Sequence, residues 1–132
     1  MQFMTRKVTK TGYQKYAKYT AQFFSDKKAG DVIILDVRGI SDITDYFIFA
    51  TCRSTTHVSA LAVHIKNELK KQGLYAMQKQ GVVKDSHWAV IDYIDMVIHL
   101  FTKDIREYYR LEDLWGDAKK VYWKGTVKHD KN

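Results

Sequence analysis

Asp92 and Asp95 are the carboxylates in this chain whose type and closeness best suit a divalent cation. Two such acids, as a nucleotidyl-transferring enzyme would use them, need an even spacing to share one face of a strand. A spacing of three puts them on opposite faces of a continuous strand, or at an exposed tip if a turn intervenes. No third acid and no glycine-rich phosphate loop supports them. Neither GxGxxG nor GxxxxGK[ST] occurs in the sequence. Histidine offers a second route to a metal, through His57, His64, His87, His99 and His129. His57 and His64 stand two helical turns apart, but zinc usually takes a further ligand pair at short spacing. There is no HExxH and no CxxC. The ordinary reading puts His57 in a helix first turn, His64 on a helix side and His99 among strand residues. Cys52 is the single cysteine, with His57 five residues on. A nucleophilic pair needs spatial contact and a third orienting group, and a small, partly buried thiol is the simpler expectation. Arg53-Ser54-Thr55-Thr56 could hold an anion at a helix N-terminus or merely cap that helix; capping is favoured. The chain is therefore expected to be no enzyme, with no metal and no cofactor.

The stretch from Trp88 to Ala118 is more informative. Residues 85–117 carry eight acids and three bases, while the rest of the chain carries seven acids and 19 bases. A basic protein of net charge +7 thus concentrates its acids in one segment. Tyr93, Tyr108, Tyr109 and Trp115 sit there between charged residues. Exposed aromatics ringed by polar groups have the composition of interface anchors. Trp88, Val90, Ile94, Val97, Leu100 and Phe101 in the same segment also fit an ordinary core. The basic remainder could meet nucleic acid or serve solubility.

The elements that must position these groups follow from periodicity. The 132 residues suit one domain with one core, and 45% are hydrophobic. Residues 1–11 read as a flexible basic arm. From Tyr13, apolar residues at 13, 16, 17, 20, 23 and 24 predict an amphipathic helix ending near Ala29–Gly30, with Gly30 as its stop. Val32–Leu35 and Tyr46–Thr51 are buried strands, joined by a polar connection around Gly39. Ser54, Thr55 or Thr56 caps a second helix with the stripe Val58, Leu61, Ala62, Ile65 and Leu69, closed by Gly73. Tyr75–Met77 is expected as a short third strand, giving a parallel pair with a right-handed crossover. Gln78–Ser86 is a loop. Trp88–Ile91 and Met96–Phe101 form an antiparallel hairpin. Ile94 is poorly suited to a two-residue turn, which wants φ > 0, so a wider turn or a bulge is expected. Asp104 caps a helical piece through Tyr109, and Leu111, Leu114 and Trp115 form another turn ending at Gly116. Lys119–Asn132 is a Lys-rich, partly ordered tail. The longest apolar runs fall well short of the ~20 residues that span a bilayer, and the N-terminus lacks the apolar stretch of a signal peptide. The expectation is a leaderless cytosolic protein with no membrane partner.

Several pieces in order then resemble a known family. They are Leu35-Asp36-Val37, Ile43-Thr44-Asp45-Tyr46-Phe47-Ile48, and Ser54 with His57-Val58-Ser59-Ala60. Trp88 with Asp92-Tyr93 and Asp95 follows, then Val97-Ile98-His99-Leu100-Phe101. Last come Arg106, Tyr108-Tyr109, Leu111-Glu112, Leu114-Trp115 and Asp117-Ala118. Together they cover about residues 20–118, and the chain resembles the ribosomal silencing factors, the RsfS, YbeB or Iojap family. The resemblance implies a single α/β domain over 12–118, with a mixed, mostly five-stranded sheet and flanking helices. This is a nucleotidyltransferase-like sandwich without catalytic groups. It implies a translation repressor that docks on the large ribosomal subunit through the L-fourteen family protein and sterically blocks the small subunit when nutrients are scarce. Carried onto this sequence, the contact residues are Trp88, Asp92, Tyr93 and Asp95, joined by His99, Tyr109, Leu111, Leu114 and Trp115. The basic arm and tail could touch ribosomal RNA peripherally, and a homodimer of the free protein stays open. The family often has Gly at 94, a small residue at 52 and an acid at 64, where this chain has Ile94, Cys52 and His64.

Overall fold

The computed structural model describes residues 10–77 and 86–123. The elements run α1 (Lys10–Asp26), β1 (Gly30–Asp36), β2 (Tyr46–Cys52), α2 (Thr55–Lys71), β3 (Trp88–Asp92), β4 (Met96–Thr102), α3 (Lys103–Tyr109), a 3-10 turn (Leu111–Trp115) and β5 (Lys119–Lys120). They make a mixed α/β single domain around one five-stranded sheet of order β3-β4-β2-β1-β5. β2 and β4 are parallel, and every other neighbouring pair is antiparallel.

The apolar stripes explain which faces are buried. Ala17, Ala21 and Phe24 of α1, and Val58, Leu61, Ile65 and Leu69 of α2, are all buried. They pack on Tyr46, Ile48, Ala50, Met96, Ile98 and Leu100, the even positions of β2 and β4. The odd positions of those strands point to the other side. There Phe47, Phe49, Val97 and Phe101 join Leu35 and Val37 in a second, smaller cluster under Ile105, Leu111 and Trp115. Seven consecutive apolar or small residues in β2 are thus needed because this strand is covered on both faces.

The ends of the helices depart from expectation in one case. α1 stops at Asp26, and Lys28 takes the left-handed conformation at φ 75°. The Ala29 N–H reaches the Phe24 carbonyl at 2.9 Å and the Lys28 N–H reaches that of Ser25 at 3.1 Å. This is a Schellman motif made without glycine, and Gly30 opens β1 instead of stopping the helix. α2 closes as expected, with Gly73 at φ 88° and the Leu74 N–H bonded to the Leu69 carbonyl.

Tyr75–Met77 is not a strand. Tyr75 and Met77 are exposed, and Met77 contributes one backbone bond, to the Asp92 carbonyl. The parallel partner of β2 is β4, reached through α2 and β3. The fifth strand comes from the expected tail: β5 pairs with Leu35 and Asp36 of β1, and Val121 and Trp123 are buried beyond it. Thr102 holds the N-cap position of α3 without a side-chain capping bond, and its hydroxyl donates to Asp104 at 2.6 Å. Asp104 sits inside the first turn, where its charge complements the helix dipole, and is not itself the cap.

The hairpin is tighter than expected. Asp92 pairs with Val97, and the Tyr93 N–H bonds the Met96 carbonyl at 2.8 Å, so only Ile94 and Asp95 form the loop. Ile94 adopts φ 73°, and the Asp95 N–H closes onto the Tyr93 carbonyl at 2.9 Å. The Asp92 carboxylate holds the Ile94 N–H at 2.8 Å. A β-branched residue in this region is strained by about 1–2 kcal/mol, and the Ile94 side chain is 55% exposed, so it recovers little through packing. Ile94→Gly is therefore expected to stabilise the fold by roughly 1 kcal/mol, less the entropy glycine loses on folding. A higher denaturation midpoint at unchanged m-value would report it; a lower midpoint would refute the strain.

Candidate docking face

β3 alternates, so Trp88, Val90 and Asp92 share the face opposite Ala89 and Ile91. Across the ladder they sit against Phe101, His99 and Val97 of β4. α3 and the 3-10 turn are too short to cover this whole side. They lie over Phe47, Phe49 and Phe101 and leave the β3 edge open: Val90 is 41% exposed.

The floor of this face is aromatic. The Trp88 ring lies 5.1 Å from Tyr109, and His99 lies 5.1 Å from Phe49 and 5.7 Å from Phe47. Trp115 lies 5.2 Å from Phe47. Tyr109, Tyr108 and Leu114 form an exposed rim, with Leu114 72% exposed. Trp88, Asp92, His99, Leu111 and Trp115 are half-buried around it. Such a surface, an apolar centre with large rings at its margin, has the make-up of a protein interface.

Two features hold the face in shape. The Trp88 indole donates to His99 Nδ1 at 3.1 Å. An indole N–H can only donate, so the His99 proton resides on Nε2. Burial pushes the His99 pKa down to about 4, so the ring is neutral at pH 7. The second feature is Arg106, which lies under the 3-10 turn and bonds Glu112 there.

A pH dependence follows from His99. Its folded pKa lies below the value of about 6.5 in an unfolded chain. Between the two, the unfolded state binds more protons, so stability rises with pH. The His99 contribution is complete above pH ~6.5 and is lost as pH falls toward 4, up to about 3 kcal/mol in order of magnitude. Denaturation midpoints measured from pH 7 to 4.5 should fall less steeply in His99→Gln than in the natural chain. Parallel curves would remove His99 as the cause.

Two expected contact residues leave this face. Tyr93 is 2% exposed and packs with the helix-side core. Its carbonyl accepts the Tyr13 hydroxyl at 3.2 Å, and burial pushes its phenol up to about 12. Asp95 turns the same way: its negative charge helps raise the Tyr13 pKa, and its carbonyl receives the N–H groups of Asp45 and Tyr46. Asp92 and Asp95 therefore do not converge on one face. Val90, which also fitted an ordinary core, is exposed on this face. The period of two in Trp88-Ala89-Val90-Ile91-Asp92 carries the signal for that placement.

The other candidate sites resolve simply. Ser54 caps α2 by accepting the His57 N–H at 3.1 Å. The His57 ring receives the Arg53 N–H on Nδ1 at 2.9 Å and meets the Lys27 carbonyl through Nε2 at 2.9 Å. His57 is occupied by backbone on both nitrogens, and burial pushes the Cys52 thiol up to about 12. Among the described residues, no three His, Cys, Asp or Glu side chains converge as a metal site. Among the same residues, no helix is long and apolar enough to cross a membrane.

Residues 10–132 match the family model described as "Ribosomal silencing factor during starvation". A ribosomal silencing factor from Bacillus subtilis is 40% identical over 101 residues, covering 76% of this chain and 85% of the relative. A mouse protein named for mitochondrial assembly of the ribosomal large subunit is 33% identical over 92 residues, covering 67% of this chain and 40% of its own length. A crystal structure of a protein from Chromobacterium violaceum superposes with a TM-score of 0.72 at 30% identity, covering 83% of this chain and 90% of the other. The chain belongs to the ribosomal silencing factor family, a family of translation regulators, and its function is ribosome silencing.

Proposed function

We propose that this protein silences ribosomes by docking on the large subunit, through the L-fourteen family protein, and sterically blocking the small subunit. The observation that carries this reading is the half-covered sheet face with Val90 at its centre, flanked by Trp88, Asp92 and His99 and rimmed by Tyr109 and Leu114. Buried aromatic anchors supply affinity. The acids of residues 85–117 suit a basic ribosomal protein and speed its encounter. The name of the mouse relative ties that protein to the large subunit, which favours the same subunit here. The mechanism is occlusion, with binding energy and no chemical step, in the cytoplasm and under nutrient limitation. When the protein is free, the same apolar face could pair two copies as a homodimer. The basic arm and the end of the tail are proposed to touch ribosomal RNA; residues 1–9 and 124–132 lie outside the described residues.

Co-sedimentation with purified large and small subunits tests the proposal. The protein should pellet with the large subunit alone, and added protein should reduce the joined fraction in sucrose gradients. Failure to pellet with large subunits would sink the docking step. Pelleting without loss of joining would sink occlusion.

A further inference from the structure

We propose that the groove between the end of α1 and the last turns of α2 binds single-stranded RNA. It lies on the helix side of the sheet, opposite the docking face, so this contact goes beyond the docking proposal and uses different residues. The groove measures about 700 Å³ and opens to solvent between Lys27, His64, Lys70 and Tyr75. Its walls are basic: Lys27, Lys70 and Lys71 line it and all reach water. Asp26 and Glu68 are the acids of these two helices. Glu68 lines the groove but is engaged by Lys71 at 3.3 Å and by the Tyr19 hydroxyl at 3.1 Å.

Charge alone would suit any polyanion. The aromatic side chains narrow the choice. Tyr19 stacks on Phe23 with centroids 6.4 Å apart, and Lys27 lies over the Phe23 ring at 5.6 Å. Across the groove, Tyr75 is 64% exposed. A large ring left in water beside lysines offers a platform on which an unstacked base can rest, while the lysines track the phosphates. In a duplex the bases are already stacked, so a duplex gains only the charge. The pairing of cations with accessible rings therefore points to a single strand.

The test is anisotropy of a labelled 12-nucleotide oligouridine with the full chain, between 50 and 200 mM salt. A duplex RNA of the same length is the comparison. Lys27→Gln with Lys70→Gln should flatten the plot of log affinity against log salt by about 1.4, two phosphate contacts for a single strand. Tyr75→Ala should weaken the single strand by roughly 5- to 100-fold at an unchanged slope, and should leave the duplex unaffected. Circular dichroism confirms that these exposed substitutions keep the fold. Unaltered single-strand affinity in Tyr75→Ala, or equal losses on duplex, would overturn the proposal. So would an unchanged slope in the lysine variant, which would place the binding elsewhere, such as the basic ends. No ribosomal subunit is present in this measurement, so its failure and a failure of docking are separate results.

Discussion

Arg106→Ala is expected to lower the stability of the fold by about 3 kcal/mol. Arg106 is 8% exposed although fully charged. Its Nη1 donates to the Asp31 carbonyl at 2.6 Å and to the Thr51 hydroxyl at 2.8 Å. Its Nε and Nη2 hold the Glu112 carboxylate at 3.1 and 3.0 Å. The guanidinium also lies over the Phe101 ring at 5.5 Å. One side chain thus joins α3 to the start of β1, the end of β2 and the 3-10 turn. Truncation leaves three acceptors without their donor. Breaking a buried pair usually costs about 3–5 kcal/mol. The Glu112 side chain is 29% exposed and can regain water, which places the loss at the lower end. Arg106→Lys should recover less than half, because an ammonium cannot reproduce the fork that reaches three directions. Denaturant unfolding of the three proteins measures this. A loss under about 1 kcal/mol in the alanine variant would show that the network is dispensable. The effect bears on function because Tyr109, Leu111 and Trp115 stand on the two segments that Arg106 holds down.

The sequence made the framework legible where one physical signal dominated. The stripe from Tyr13 to Phe24 could only be an amphipathic helix, and α1 covers it. Tyr46–Cys52 is apolar at every position because both faces of that strand are buried, and it lies at the centre of the sheet. Local preference misled where tertiary contacts decided. Tyr75–Met77 has strand-like residues but is left almost without a backbone partner, whereas Lys119–Lys120 has poor strand residues and pairs with β1. The burial of Val121 and Trp123 beside it, with the Val121 N–H on the Ile34 carbonyl at 2.8 Å, holds that segment to the sheet. Glycine reasoning failed at Lys28 and Ile94, two side chains in left-handed backbone whose cost is offset by the hydrogen bonds around them. The contact face shows the same division. The family pattern proposes Trp88, Asp92 and His99 as contacts, and period-two alternation places them on one face with Val90. Tyr93 and Asp95 fall at the hairpin tip, where alternation gives way to turn geometry and sends them to the helix side.

Binding to the large subunit should fall at least 30-fold in Trp88→Ala, the size expected of a central aromatic anchor. Trp88 also contacts Phe101 at 6.0 Å and Tyr109 at 5.1 Å, so its loss disturbs the face as well as removing a contact. Val90→Arg separates the two effects. Val90 is 41% exposed on the edge strand β3, and an arginine there can snorkel to water with little cost to the fold. In a docked complex the same arginine places bulk and positive charge at the centre of a surface argued to meet a basic partner. Val90→Arg should therefore keep its unfolding midpoint and lose large-subunit binding by tenfold or more. Asp92→Asn gives the electrostatic part. The amide oxygen can still accept the Ile94 N–H now held at 2.8 Å, while the charge is gone. Its loss should appear chiefly in the association rate and shrink as salt is raised, because screening already removes the steering that the carboxylate supplied. Surface binding kinetics on immobilised large subunits resolves the three. If Val90→Arg binds as tightly as the natural chain, the partner does not sit on this sheet face, whatever Trp88→Ala does, because Val90→Arg blocks the face without the disturbance beneath it that Trp88→Ala causes.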